Sequence, residues 1–316
     1  MPIVTIFDPI QSEMSRIEEK VDHVISSAPP EMSEQLGHVL RGGKRIRPAL
    51  TMLAGKFYHY DIDLLIPAAT AMELLHAATL LHDDTIDNSH FRRGKPTVSS
   101  LWGDFNAVLL GDYVFATSAC MASETGSIRV MRAFAQALMS ICTGEIGESV
   151  NPFNNSREYY FQTIGNKTAS LFSTAAEVGA VLSNAPEEMI QSLKEYGRNL
   201  GMSFQIVDDI LDFIGQKEAM GKPVASDLSR GIFTLPVILL LESSEDSWVK
   251  EVLGRDKNRG IETLMKAVHS SSVLEECYAI ARDFRSRACF ALEQLPYHPV
   301  HDSLISLADY VIERKE

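Results

Sequence analysis

Two segments of this chain share one pattern, an apolar helix that ends in the acidic sequence DDxxD. The first runs from His76 to Asp87, and the second runs from Met202 to Asp212. Because residues four apart share a helix face, the first and last carboxylates of each motif point the same way. Carboxylates at the end of an apolar helix are unfavourable unless their charge is compensated. The pattern therefore predicts two helices that face each other with their acidic ends around one cavity.

The rest of the chain also favours helices, since strand-like alternation between turn residues is scarce. Proline and glycine mark the boundaries of a first helix from Pro9 to about Ser27. A long helix should run from Pro67, in its first turn, to about Phe91. Further helices are expected over residues 106–123, 127–149, 157–183, 186–214 and 232–242. No low-complexity linker divides the chain, so we predict an all-α protein with one domain, residues 1–316.

Composition argues against several classes of protein. A formal net charge of −13 disfavours a broad nucleic-acid-binding surface. Neither a signal peptide nor a run of about 18 apolar residues is evident, so we expect a cytoplasmic protein without a transmembrane segment. Weak association with a membrane is left open. The cysteines have neither CxxC nor zinc-site spacing and are expected to be buried free thiols; they are Cys120, Cys142, Cys277 and Cys289.

Three explanations of the acidic motifs compete. Capping of a helix N-terminus fits poorly, because both motifs lie late in their helices, where the helix dipole disfavours negative charge. A calcium-binding loop also fits poorly, because its glycine and its alternating oxygen ligands are absent. Magnesium, by contrast, commonly binds one or two carboxylates together with phosphate oxygens of a substrate. Two DDxxD motifs therefore favour a pair of magnesium sites that hold a diphosphate.

Clusters of cations accompany the acidic motifs. They are the GGKRIRP turn at residues 42–48, the RRGK segment at residues 92–95, Lys167 beside Thr168, and Lys222 after the second motif. Arginine forks match phosphate oxygens in pairs. Each cluster alone is typical of a charged surface, but their placement beside two acidic motifs favours binding of anions. We infer two diphosphates, one held through metal and the other mainly by lysine and arginine.

With these motifs in this order, the chain resembles the all-trans polyprenyl diphosphate synthases, the family that includes farnesyl and geranylgeranyl diphosphate synthases. The resemblance extends over nearly the whole chain, from GGKRIRP at residues 42–48 to Thr234-Leu235-Pro236. It implies an all-α bundle around a deep central cavity, usually in a homodimer, with Mg²⁺ as the cofactor. The implied substrates are isopentenyl diphosphate and an allylic prenyl diphosphate, which are joined in successive 1′-4 additions.

The resemblance also implies a role for each matching residue. Three Mg²⁺ would be held on the allylic diphosphate by six aspartates, Asp83, Asp84, Asp87, Asp208, Asp209 and Asp212. The cations on that same diphosphate would be Arg92, Lys167 and Lys222. The isopentenyl diphosphate site would consist of Lys44, Arg47, His76 and Arg93. Polar groups near the developing carbocation would be Thr168 and Gln205. The predicted catalytic residues are Asp83, Lys167, Thr168, Gln205 and Asp208.

Some of these positions leave alternatives open. His76 and Gln205 also fit polar residues that are satisfied inside a core. Glu148 stands where family members often carry Asp or Gln, and its longer side chain would still reach a metal. Ile232 stands where many members carry Lys, so one contact to a diphosphate is expected to be weaker. Both acidic motifs are complete, so neither departure changes the expected class of reaction.

Product length is expected to depend on the helix that carries the first motif. Short-chain members of the family place aromatic rings at the fourth and fifth positions before the first aspartate, where this chain has Thr79 and Ala78. A growing chain would pass these small residues toward Leu75, so a product of about C30 to C40 is expected. The floor of the tunnel is assigned to another helix, with the candidates Phe134, Leu138 and Ile141. Alternatively, the small residues serve only close helix packing.

Three other functions share part of this pattern. A terpene cyclase or a head-to-head condensing enzyme would share the helical fold and the acidic motifs, but GGKRIRP and Arg92-Arg93 favour chain elongation. A short-chain synthase with a C15 or C20 product is the alternative within the family. A regulatory subunit of a heteromeric synthase is the alternative that is not an enzyme. Its acidic motifs should be degraded, whereas both are intact in this chain.

Overall fold

The computed structural model describes residues 3–214, 226–243 and 257–314, and these ranges are almost entirely helical. The first half contains α1 (Ile3–Ile6), α2 (Gln11–Ser27), α3 (Pro30–Leu40), α4 (Ile46–Gly55), α5 (Ile62–Ile86), α6 (Val98–Trp102), α7 (Asp104–Glu124) and α8 (Ile128–Val150). The second half contains α9 (Arg157–Ile164), α10 (Ser170–Leu182), α11 (Glu187–Ile214), α12 (Ser226–Arg230), α13 (Leu235–Ser243), α14 (Lys257–Ser270), α15 (Val273–Leu292) and α16 (Val300–Glu313).

Short irregular elements join these helices. A 3-10 turn, Asp8–Ile10, precedes α2, and a π-helical turn, Gly165–Ala169, connects α9 to α10. Two residues of β1 (Phe91–Arg92) pair antiparallel with two residues of β2 (Lys95–Pro96). The predicted all-α fold is confirmed. The helices predicted over 106–123, 127–149, 186–214 and 232–242 agree with α7, α8, α11 and α13 to within three residues.

The long helix α5 differs from its prediction at both ends. It begins at Ile62, after the side chain of Asp61 accepts a hydrogen bond from the backbone N–H of Asp63, so Pro67 lies in the second turn rather than the first. It ends at Ile86 rather than Phe91, because Asn88 adopts a left-handed conformation with φ of 51° and the chain turns into the β1–β2 hairpin. The first acidic motif therefore closes the helix.

Two hydrophobic clusters hold the helices together. In the larger one, α5 packs against α4, α7 and α10, and its buried side chains occur on every side, as expected of a central helix. The smaller cluster joins the end of α11 to α13, α14 and α15. Because α5 and α11 are both anchored in these clusters, their acidic ends are held in fixed positions.

Within the described ranges, two helices have the length and composition that crossing a membrane requires. The most apolar window of α5 is 78% buried, so α5 reads as a core helix, whereas that of α7 is only 39% buried. Glu73 interrupts the apolar sequence of α5 and Asp112 that of α7, so neither helix contains a run of about 18 apolar residues, although the mean hydropathy of each reaches the threshold for crossing a membrane. α7 reaches it because one of its faces carries exposed apolar side chains, including Phe105, Val108 and Leu109.

A neighbouring face of α8 is also apolar and exposed, with Met139, Ile146 and Val150 each more than 60% exposed. The two sets of side chains form what we call the α7–α8 face. Cys120 and Cys142 are exposed on the same two helices, which corrects the expectation that all four cysteines are buried. Cys277 is buried, Cys289 is partly buried, and all four are free thiols.

Candidate active site

The ends of α5 and α11 open into one cavity of about 790 Å³. Four aspartates from the two helices line it, namely Asp83, Asp87, Asp208 and Asp209. The two acidic motifs therefore face a common space, as their helical spacing predicts. Asp84 and Asp212 are both 7% exposed and do not line this cavity.

Each aspartate of the first motif has a different environment. Burial raises the pKa of Asp83 to about 6, although the ammonium group of Lys167 opposes this shift. Asp84 turns away from the cavity and accepts a hydrogen bond of 2.8 Å from Nε of Arg92. Asp87 forms an ion pair with Arg230. Thus the two carboxylates four residues apart face the cavity, while the one between them anchors an arginine.

The second motif is held by a hydrogen bond from α9, by one from within α11 and by an ion pair from the residue that follows α16. Asp209 is buried and accepts from the Tyr160 hydroxyl at 2.6 Å and from Nε2 of Gln205 at 2.8 Å. Burial raises the pKa of Asp209 well above its usual range. Asp208 is more exposed and pairs with Nη1 of Arg314 at 2.6 Å. The motif thus has one fixed carboxylate and one carboxylate held by a side chain from the C-terminal segment.

These carboxylates suit a hard divalent cation that arrives with a ligand. Within the described residues, no three acidic, histidine or cysteine side chains already converge on one point. Closed, all-protein cages are unusual for Mg²⁺, which binds through one or two carboxylates and completes its shell with phosphate oxygens and water. The oxygen donors of Asp83, Asp87 and Asp208 therefore fit Mg²⁺ bound together with a phosphate-bearing molecule.

Basic side chains from four segments line the same cavity. They are Lys44, Arg45 and Arg47 after the GG turn, Arg92 and Arg93 in the hairpin, Lys167 in the π-helical turn, and Arg230 at the end of α12. The guanidinium of Arg47 lies 4.5 Å from the centre of the Phe172 ring. Among the described residues its buried Nε atom has no hydrogen-bond partner, and burial lowers the pKa of Arg47 to about 10. A buried donor of this kind is a ready site for an anion.

The backbone brings the glycine turn and the hairpin together. A Cβ atom at Gly43 would lie 2.9 Å from Nη1 of Arg93, and Gly43 has φ of 99°, so this position requires glycine. Arg93 itself has φ of 52°. His76 faces the same arginines, and burial together with Arg47 and Arg93 lowers its pKa well below the usual value. His76 is therefore neutral at pH 7 and is able to donate a hydrogen bond without adding charge.

Lys167 lies in the π-helical turn, where extra backbone width often accompanies function. Its Nζ atom lies 2.6 Å from Oε2 of Glu145 and 2.6 Å from Oε2 of Glu148. Burial opposes the charge, yet Glu148 and Glu145 hold the pKa of Lys167 above its usual range. The next residue, Thr168, donates a 2.7 Å hydrogen bond to Oε1 of Gln205, which in turn donates to Asp209.

Of the predicted chain-length residues, only some reach the cavity. Thr79 and Ile141 line it. Leu75, Ala78 and Phe134 are almost fully buried behind the lining. Leu138 is partly buried. Phe134 stacks on Phe115 of α7 with ring centroids 6.2 Å apart, so the rings of two helices meet behind this end of the cavity.

Several residues of the site were not predicted from the sequence. Arg45 and Glu73 form a buried ion pair of 2.7 Å next to the glycine turn, and Tyr160, Arg230 and Arg314 contact the acidic motifs. Arg45 lies within GGKRIRP and Glu73 lies one helical turn before His76, so their positions relative to these motifs could have indicated both residues. The other three carry no local signal. The predicted ligand Lys222 lies outside the described residues.

Comparison with known proteins identifies the family. A sequence profile described as polyprenyl synthetase matches residues 29–270. The chain belongs to the polyprenyl synthetase family. Membership confirms the predicted family and the predicted prenyltransferase class of enzyme.

Individual relatives match the chain over nearly its whole length. Heptaprenyl diphosphate synthase component 2 of Geobacillus stearothermophilus is 33% identical, with 99% of each chain covered. Octaprenyl diphosphate synthase of Escherichia coli is also 33% identical, with 90% of each chain covered.

Solved structures give the same result. A polyprenyl synthase of Caulobacter crescentus, complexed with calcium and isoprenyl diphosphate, has a TM-score of 0.94 at 30% identity and covers 100% of this chain and 98% of its own. A decaprenyl diphosphate synthase of Rhodobacter capsulatus has a TM-score of 0.92 at 35% identity, with 100% of both chains covered.

Proposed function

We propose that this prenyltransferase adds isopentenyl diphosphate to an allylic diphosphate in successive 1′-4 condensations and makes a trans-polyprenyl diphosphate of about C30 to C40. The arrangement of two acidic motifs and a wall of cations around one cavity supports the reaction. The absence of an aromatic ring at Thr79 and Ala78 supports the length. The relatives named above are heptaprenyl, octaprenyl and decaprenyl synthases, which is consistent with a product longer than C20.

At the allylic site, the cavity-lining aspartates Asp83, Asp87, Asp208 and Asp209 would hold Mg²⁺, with three ions per site as the expected number. Asp84 and Asp212 would join them only after their side chains turn toward the cavity. Bound Mg²⁺ would neutralise the diphosphate and favour its departure. Arg92, anchored by Asp84, would place its remaining N–H groups on the same diphosphate. Lys167 would exchange part of its contact with Glu145 and Glu148 for a diphosphate oxygen. Lys222 would contribute from the segment after α11.

At the isopentenyl site, Arg47 and Arg93 would bind the second diphosphate, assisted by Lys44. The unbonded Nε of Arg47 supports this assignment, because a buried donor gains a partner when the anion binds. Neutral His76 would donate one further hydrogen bond. Glu73 and Arg45 do not need to touch the substrate, since they already satisfy each other at 2.7 Å.

The reaction breaks the allylic C–O bond, whose electron pair leaves with the diphosphate. The double-bond electrons of isopentenyl diphosphate form the new C–C bond, and a proton is then lost to the released diphosphate. Thr168 and Gln205, linked at 2.7 Å, would place oxygen atoms near the positive charge that develops. Exclusion of water is needed because water would quench the carbocation.

The assembly is part of the proposal. We expect a homodimer in which the α7–α8 face of one chain meets that of a second copy, since an apolar patch of this kind marks a protein interface. One relative is named as a component of a heptaprenyl synthase, so a different second protein is the alternative occupant. One domain over residues 1–316 and a location in the cytoplasm stay predictions.

A metal-dependence experiment tests the proposal. Purified protein should incorporate labelled isopentenyl diphosphate with Mg²⁺, lose this activity in excess EDTA and regain it when Mg²⁺ is restored. Asp83→Asn and Asp208→Asn should each lower the rate at least ~10²-fold, as removal of a charge-stabilising group does. The matched control is Asp302→Asn, which changes an exposed aspartate of α16 and should leave the rate unchanged. Full activity in EDTA would refute the proposal.

A further inference from the structure

We propose that Arg230 binds the allylic diphosphate and, from two residues away, replaces the cation that Ile232 does not provide. This inference rests on the proposed function, since it assigns a further ligand to the same site. Sequence motifs gave no role to Arg230. The structure places it in the lining of the cavity, where it pairs with Asp87 of the first acidic motif.

The contacts of Arg230 place its guanidinium at the acidic motif. One η nitrogen pairs with Asp87, and the other donates to Oδ1 of Asp227 at 3.0 Å. Both carboxylates line the cavity, and the Arg230 side chain is 28% exposed. The guanidinium is therefore held by two fixed acids at the edge of a space that still reaches solvent.

The chemistry of this pairing changes when the ligand arrives. Mg²⁺ bound to Asp87 would remove the charge that now holds Arg230, and the diphosphate would bring new oxygens to the same place. A planar guanidinium presents five N–H donors, so it is able to keep Asp227 while it turns toward phosphate. Burial lowers the pKa of Arg230, with Asp83 opposing the shift, but a guanidinium stays charged at pH 7.

The backbone brings residues 230 and 232 into the lining of the same cavity. Gly231, with φ of 86°, turns the chain, and its carbonyl accepts a 2.7 Å hydrogen bond from the N–H of Phe153. A Cβ atom at Gly231 would lie 2.9 Å from the Phe153 ring, so the turn is closely packed. Both Arg230 and Ile232 line the cavity as a result. A lysine at position 232 would extend from the same wall.

A purely structural role for Arg230, as a counterion of Asp87 alone, makes a different prediction. If that were its only role, a lysine at position 232 would not compensate for the loss of Arg230, because residue 232 takes no part in the ion pair with Asp87. Moving the positive charge from position 230 to position 232 therefore distinguishes the two roles. The four proteins needed are Arg230→Ala, Arg230→Gln, Ile232→Lys and the double variant Arg230→Ala/Ile232→Lys. Arg282→Ala, at an exposed position of α15, is the matched control.

Binding of inorganic pyrophosphate in the presence of Mg²⁺, measured by isothermal titration calorimetry, gives a readout that does not depend on turnover. Loss of one charge-assisted contact should weaken binding about ten- to a hundred-fold in Arg230→Ala and in Arg230→Gln. The double variant should recover at least tenfold of that loss. The Michaelis constant for the allylic substrate should follow the same order, and Arg282→Ala should match the parent.

Two results would overturn the inference: a pyrophosphate affinity in Arg230→Gln within twofold of the parent, or no recovery in the double variant while its circular dichroism matches the parent. If Arg230→Ala does not fold, Arg230→Gln and the pair Arg230→Gln/Ile232→Lys decide the question. Failure of the proposed function looks different, because the parent itself would then fail to incorporate isopentenyl diphosphate whatever the affinities of the variants.

Discussion

Replacing Ala78 by phenylalanine should shorten the product while leaving the first condensation intact. Ala78 lies five residues before Asp83 on α5, about 7.5 Å along the helix axis from the acidic end. α5 begins at Ile62, so the wall before Asp83 is about 31 Å long. Each extended isoprene unit spans about 5.4 Å, so the whole wall accommodates about six units. A phenylalanine ring at position 78 would leave room for about one or two units between the ring and the acidic motif. We therefore expect products about four units shorter than the parent's ~C30 to C40, at about C10 to C20.

The variant should still fold. Ala78 is only 2% exposed, so a larger side chain overpacks the interior, at a cost of about 1–3 kcal/mol. This is less than the ~5–15 kcal/mol by which folded proteins are usually stable. Thr79→Phe is a second variant whose ring enters the open space directly, since Thr79 already lines the cavity. Ala279→Phe, at an exposed position of α15, is the matched control.

Reversed-phase chromatography of the dephosphorylated products measures the effect. A parallel thermal melt tests the alternative that Ala78 is small only to allow close helix packing. That alternative predicts a lower melting temperature for Ala78→Phe with unchanged products. If Ala78→Phe and Thr79→Phe both make products as long as those of the parent, these residues do not set the length.

Three further predictions follow from the site and the surface. Lys44→Ala should raise the Michaelis constant for isopentenyl diphosphate more than that for the allylic substrate; an equal or reversed effect in steady-state kinetics would refute the assignment. Burial alone would raise the pKa of Glu13, but hydrogen bonds from Lys56, Ser12 and Tyr60 outweigh it and lower this pKa from 4.5 to about 2. The shift stabilises the folded protein at pH 7 by at most about 3 kcal/mol. Glu13→Gln should therefore destabilise the protein at pH 7, and chemical denaturation should show the difference shrinking as pH falls from about 4.5 toward 2. Met139→Asp should convert the proposed homodimer to a monomer in sedimentation experiments; a parent that is already monomeric contradicts the proposed assembly.

Local spacing was sufficient to predict the acidic ends of α5 and α11. Positions four apart on a helix share a face, so Asp83 and Asp87 reach one cavity while Asp84 turns to Arg92. The boundaries of α5 were harder to predict. Pro67 is accommodated in the second turn, and the local turn at Asn88 ends the helix before the position the sequence indicated.

Contacts between distant parts of the chain were not predictable in this way. Tyr160 reaches Asp209 across 49 residues of sequence, and Arg314 reaches the carbonyl of Phe204 across 110. Neither residue stands in a motif, since each gains its role only from helix packing. The exposure of Cys120 depends likewise on which face of α7 meets the core. Sequence patterns predict which side chains share a helix face, whereas tertiary packing decides what that face contacts.

The most direct test of the central claim is the product that the purified chain makes alone. Farnesyl diphosphate, excess labelled isopentenyl diphosphate and Mg²⁺ are incubated with the protein, and the extracted products are dephosphorylated and separated by chain length. We expect trans-polyprenols of about C30 to C40. Products that stop at about C20, or incorporation that appears only when a second protein component is added, would contradict this expectation.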